Sequence, residues 1–190
     1  MDQMKIETMR RLEERVLSCK KCPLCSSRTQ SVFGKGSLSP TVLFVGEAPG
    51  EQEDRQGKPF VGPAGQLLDL YLEFIGLEPE DYYVANILKC RPPRNRDPLP
   101  EEEETCLPYL REQLKILQPK ILVCLGRIAA KRIISPDFRI TKQRGVWYDL
   151  GGFRVMATYH PSALLRDPAK KAEALEDFKK IAAEIQIHKK

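Results

Sequence analysis

The chain has 190 residues, 42% of them hydrophobic and 30% charged, with a formal net charge of +5. That length and balance predict a single globular domain over residues 1–190. No apolar run nears the roughly 20 residues of a membrane span, and the N-terminal MDQMKIETMRRLEERV is charged and lacks a signal-peptide core, so a cytoplasmic protein without membrane contact is expected. The charge is uneven: residues 127–190 hold 14 Lys/Arg against 7 Asp/Glu. This excess suits a polyanionic partner, although an excess this small is more often an ordinary solvated surface. Only two Asn in the chain is a hint of a heat-adapted source.

In chain order, apolar spacing predicts a helix over 5–18, running into Cys19, Cys22 and Cys25. A Gly/Ser/Pro loop over 34–40 leads to a first strand, 41–46, whose unbroken run Val42-Leu43-Phe44-Val45 reads as buried on both faces. An irregular loop extends to Pro63, followed by a helix near 64–75 and a second strand at 82–86. RPPRNRDPLP (91–100) is predicted to be a loop because prolines interrupt it throughout. A helix follows from about Pro100 to Gln118, its start marked by Glu101 to Glu104 and its course distorted at Pro108. Then come a buried strand at 121–125, a short helix at 127–134, a hairpin around Gly151-Gly152 and a fourth parallel strand at 155–158. A last helix opens at Asp167-Pro168. Strands alternating with helices predict an α/β fold with a parallel sheet covered on both faces.

Cys19 and Cys22 have the tight spacing that lets two thiolates reach one metal centre. Cys90 and Cys106 bracket the proline-rich loop, and joining them to the first pair would hold that loop in place. Spacing alone leaves zinc and an iron-sulfur cluster both open. Cys124, inside an apolar strand, is predicted to be a core residue, and Cys25 lacks the remainder of a ferredoxin run. Gly34-Lys-Gly36 and Gly57-Lys58-Pro59 do not complete a phosphate-binding motif, so no nucleotide cofactor is assigned.

A parallel sheet would bring four segments to one edge: GEAPGEQED (46–54), KPFVGPAG (58–65), Asn86, and His160-Pro-Ser162. Together with Cys19, Cys22, Cys90 and Cys106, these motifs resemble the family 4 uracil-DNA glycosylases, the iron-sulfur branch typical of thermophiles. The resemblance covers nearly the whole chain. It implies a three-layer αβα sandwich with a four-stranded parallel sheet, a structural 4Fe-4S cluster on those four cysteines, and hydrolysis of the N-glycosidic bond of uracil in single- or double-stranded DNA. A monomer is expected, and a sliding-clamp partner is left open.

Such chemistry needs the base flipped into a pocket. Phe60 offers a ring for stacking, and the Asn86 amide matches the N3–H donor and O4 acceptor of uracil. His160 is the candidate donor to the developing negative charge at O2. Gly46, Ala48 and Gly50 would shape the pocket, and Glu47 would position water, support the sugar cation or form a wall. The resemblance is imperfect at two places: Ala48 stands where better-known relatives carry the water-activating Asp, and Gly50 where they carry a Tyr. DNA contacts are expected from the turns at Pro63 and Ser162, from Arg91, Arg94 and Arg96, and from Leu164 or Leu165 as an apolar wedge. A non-enzymatic metal-containing nucleic-acid-binding module would explain the cysteines and basic loop, but not Asn86 and His160 at matching strand ends.

Overall fold

The computed structural model describes residues 3–188. Its helices are α1 (Gln3–Leu17), α2 (Leu24–Ser27), α3 (Glu51–Gln56), α4 (Pro63–Phe74), α5 (Pro100–Leu117), α6 (Arg127–Ile133), α7 (Ile140–Gln143), α8 (Pro161–Arg166) and α9 (Lys171–His188). The strands are β1 (Lys35–Gly36), β2 (Val42–Gly46), β3 (Tyr82–Asn86), β4 (Ile121–Leu125), β5 (Trp147–Leu150) and β6 (Phe153–Thr158). They form one mixed sheet of six strands in the order β1-β3-β2-β4-β6-β5. The expected four-stranded parallel sheet is its centre, and an antiparallel strand extends each edge. β1 escaped the sequence reading because two residues in a Gly-rich loop carry no alternation. β5 is the first arm of the predicted hairpin.

The all-apolar strands supply both faces of the sheet, as period-two geometry requires. Leu43, Val45, Leu122 and Cys124 face the layer built with α1, α5 and α6, whereas Val42, Phe44, Ile121 and Val123 face the layer with α4, α8 and α9. Cys124 is fully buried, and burial pushes its thiol pKa up, so it is the predicted core residue.

Two further elements depart from expectation. The stretch before Pro63 contains α3, which ends at Gly57 in the left-handed region (φ 67) and is pinned by the buried Asp54 carboxylate accepting from Thr29 N. Its first turn carries Glu51 and Glu53, where acids favour a helix N-terminus, but a six-residue helix lacks the length for a periodic signal. The chain at Asp167-Pro168 forms a short 3-10 turn before α9 begins at Lys171.

A buried ion pair joins α9 to the sheet end. Arg144 Nη1 donates to Asp177 Oδ1 at 2.6 Å, and Thr158 Oγ1 donates to Asp177 Oδ2 at 2.7 Å. Removing Asp177 leaves the buried Thr158 hydroxyl without its acceptor and Arg144 with Glu173 as its remaining carboxylate partner. Asp177→Ala is therefore expected to lose about 3 kcal/mol in urea unfolding, whereas Asp149→Ala, whose exposed carboxylate pairs with Arg154, should stay within about 0.5 kcal/mol.

Candidate active site

The carboxyl edge of the parallel strands opens into a cavity of about 430 Å³, in the range of small-molecule sites. Glu47, Ala48 and Gly50 line it from the turn after β2, Phe60 from the loop before α4, Asn86 from the end of β3, and His160 and Ser162 from the start of α8. The segments separated in sequence therefore meet at one place. Gly46 pairs with Asn86 in the β2–β3 register. A Cβ on Gly46 would collide with Asn86 Oδ1 and lie 2.7 Å from the Phe60 ring, so only glycine lets these side chains converge.

Asn86 is 2% exposed, and its Oδ1 has no hydrogen-bond partner among the described residues. A buried acceptor left unpaired costs free energy that a ligand donor can recover.

Phe60 adopts a left-handed backbone (φ 51) that a bulky residue rarely takes. Glu53 explains how this turn is held: its carboxylate accepts from Val61 N and Gly62 N at 2.8 Å and from Gly50 N at 3.1 Å, tying the two loops of the pocket together. A side chain on Gly50 would meet that carboxylate at 2.7 Å. Glu53 escaped the sequence reading. Its signal was an acid three residues after a helix-capping position, able to reach back to the cap's N–H.

His160 caps α8. Its Nδ1 accepts from Ser162 N at 3.1 Å and sits 2.8 Å from Ser162 Oγ, so the neutral ring carries its proton on Nε2. Burial, reinforced by Arg166, lowers its pKa to about 4. Its ring lies 6.0 Å from that of Phe60, tilted by 30°.

Glu47 moves the opposite way. Burial first, then the carboxylates of Asp97 and Glu103, raise its pKa to about 7 against the opposing pull of Arg127 and Arg166. Asp97 and Arg127 form an ion pair on the pocket rim. Neither was singled out from sequence, because each reads as an ordinary surface charge.

The expected DNA contacts separate into kinds. Pro63 is exposed at the first position of α4, and Ser162 is half-buried in the pocket wall. Arg91 is engaged with Asn95 and Glu51, and Arg96 forms a bidentate pair with the buried Glu102. Arg94 is exposed in a left-handed turn (φ 55). Leu164 does not fit the role of wedge: it is fully buried beneath α8 in the layer with Phe60 and Phe178, because the helix turns that position toward the core. Leu165, 44% exposed, occupies the outward position.

Cys19, Cys22, Cys90 and Cys106 line one small cavity, together with Cys25, Arg28, Lys89 and Tyr109. Arg28 Nη1 donates to Cys90 Sγ at 2.9 Å and Lys89 N to Cys106 Sγ at 3.2 Å, the outer hydrogen bonds that suit metal-bound thiolates. Burial raises the pKa of Cys22, Cys90 and Cys106, the last to about 11, so a bound cation would be needed to hold these sulfurs as thiolates. Among the described residues, no group of three or more His, Cys, Asp or Glu closes on a point for a single ion. The donor set, five cysteines around a shared space, suits a soft metal centre.

The profile of the uracil DNA glycosylase superfamily matches residues 33–185. The chain is 46% identical to the type-4 uracil-DNA glycosylase of Sulfurisphaera tokodaii, over 93% of its own length and 84% of the relative's. It is 45% identical to the type-4 enzyme of Archaeoglobus fulgidus, with 93% and 92% of the two chains covered. With that of Thermotoga maritima it shares 44% identity over 95% and 96%. Matches running from before β1 into α9 take in every wall of the cavity, and on them the chain belongs to the uracil-DNA glycosylase superfamily, in its type-4 branch.

Proposed function

We propose that the protein excises uracil from DNA by hydrolysing the N-glycosidic bond, leaving an abasic site. The observation that carries the proposal is the buried, unpartnered Asn86 Oδ1 beside a neutral His160 in one cavity. Uracil offers N3–H to that acceptor and O4 to the amide nitrogen, whereas cytosine presents an acceptor and a donor in reverse. Phe60 stacks on the base. As the C1′–N1 bond breaks, its electron pair moves onto the leaving uracil, and His160 Nε2–H donates to the charge gathering at O2. Glu47 orients a water whose oxygen bonds to C1′ and whose proton passes to its carboxylate. Arg94, Pro63 and Ser162 hold the phosphate backbone, and Leu165 fills the gap left by the flipped base. Incubation with a uracil-containing oligonucleotide, followed by alkali, should break the strand at uracil alone, and an intact strand would overturn the assignment.

Cys19, Cys22, Cys90 and Cys106 would hold a 4Fe-4S cluster, which when bound supplies covalent ties between α1, the loop after β3 and α5. Ion pairs among Glu, Lys and Arg support a heat-adapted protein, and its working place is the cytoplasm as a monomer.

Three outcomes are expected. The purified protein should be brown, with broad absorbance at roughly 400 nm; serine at any of those four positions should remove the colour and lower stability, whereas Cys124→Ser should keep the colour. Colourless protein with bound zinc would exclude the cluster. Because the Glu47 pKa is raised, its carboxylate is populated only as pH rises through about 7, so single-turnover excision should climb up to that pH and level off above it. His160, neutral above about pH 4, adds no limb there. Glu47→Gln should be slower by about 10²-fold and flat in pH, and a persisting limb would move the role elsewhere. Gly46→Ala should cut excision at least about tenfold with oligonucleotide affinity unchanged in a gel-shift assay, since phosphate contacts supply most of that affinity.

A further inference from the structure

Lys89 is 1% exposed, and its ammonium makes no ion pair with a carboxylate among the described residues. Nζ instead donates to the Asn86 carbonyl at 2.9 Å and to Gln113 Oε1 at 2.7 Å. Gln113, itself fully buried, is anchored by its Nε2 donating to Phe33 O at 3.1 Å. An ammonium taken out of water without a counter-charge is among the most costly groups a fold can bury. Its place in the core calls for a partner and a purpose.

The partner lies at the cysteine site. Lys89 lines the cysteine cavity, its N donates to Cys106 Sγ at 3.2 Å, and Cys90 is the next residue. Four thiolates around an iron-sulfur cluster would leave net negative charge there. Arg28 reaches the same site by donating to Cys90 Sγ. The purpose lies at Asn86. After β3 the chain turns back along the pocket, with Ile87 N donating to Gly46 O and Leu88 N to Glu47 O, both at 3.0 Å. The ammonium closes this turn by folding onto the Asn86 carbonyl. Asn86 Oδ1 has no partner of its own, so the aim of the amide depends on how firmly its backbone is held.

We propose that Lys89 is a positioning residue that fixes the uracil-reading Asn86 through its carbonyl and draws its counter-charge from the cysteine site. The link rests on the excision and cluster assignments made above. It makes the metal site an electrostatic support for base recognition, with Cys90 four residues along the chain from Asn86.

Lys89→Met and Lys89→Gln remove the charge with little change of volume, and Gln retains a donor should Met prevent folding. Each variant, shown folded by circular dichroism, would be compared with wild type in single-turnover excision, inhibition by free uracil, oligonucleotide binding and the reduction potential of the bound cluster. Excision is expected to fall by about 10²-fold and inhibition by free uracil to weaken about tenfold, with oligonucleotide binding held. The potential should shift downward, because loss of a nearby positive charge disfavours the more negative reduced cluster. Variants that lose only thermal stability, or that keep the wild-type potential or free-uracil inhibition, would overturn the proposal. Failure of the underlying assignments would appear in the wild type itself, as absent excision or absent iron.

Discussion

An amide oxygen buried without a donor is the feature around which the rest of the site is arranged. Leaving Asn86 Oδ1 unpaired costs about 1–3 kcal/mol, and the fold tolerates this because the surrounding backbone gives the group nowhere else to turn. Gly46 leaves the space, Glu53 ties the loops that carry Gly50 and Phe60, and Phe60 is held in a left-handed turn against Gly65. Each of these is a local departure from what the chain would adopt alone. Their common effect is a pocket whose buried amide is fixed by its surroundings, so under the proposed function little ordering would remain to be done when a base binds.

Burial acts on the two titrating residues of the pocket in opposite senses, yet drives both toward neutrality. It holds His160 as an uncharged imidazole and holds Glu47 partly protonated near neutral pH. For the histidine this suits the proposed function, in which a neutral donor would stabilise a developing anion without giving up its proton to it. The carboxylate is in a more delicate position. Asp97 raises its pKa and Arg127 lowers it, and these two are paired with each other on the rim. Under the proposed function, a DNA phosphate drawing Arg127 away would leave Asp97 closer to an uncompensated charge, and substrate binding and the protonation of Glu47 would then be linked through one ion pair.

Much of this architecture could be read from the chain. Runs such as Val42-Leu43-Phe44-Val45 and Ile121-Leu-Val-Cys-Leu125 are too apolar for any place but the sheet centre, and strand ends carrying Glu47, Asn86 and His160 put them on one edge once the sheet was recognised as parallel. What stayed hidden depends on partners distant in sequence. Leu164 and Leu165 are alike as letters, and only the phase of a six-residue helix decides which faces the core. Lys89 reads as a surface lysine at the end of a strand until Gln113 and Cys106 are brought around it. Glu53 and α3 gave capping signals, but too short a segment for periodicity to confirm them.

The proline-rich segment between Cys90 and α5 shows how these pieces depend on one another. It has almost no buried apolar side chain, with Pro92 alone enclosed, so hydrophobic burial does not hold it. Arg96 pairs with the buried Glu102, whose Oε2 also accepts from Leu99 N, and Arg91 is bound to Asn95 within the turn. With Cys90 at one end and Cys106 beyond the other, the segment is confined by the cysteine cavity at its base and charge-assisted hydrogen bonds along its length. That confinement leaves Pro92, Asn95, Arg96 and Asp97 as one wall of the cavity. Loss of the cysteine site would therefore loosen both the wall that faces Glu47 and, through Lys89, the turn that carries Asn86, so protonation of the carboxylate and aim of the amide should fail together.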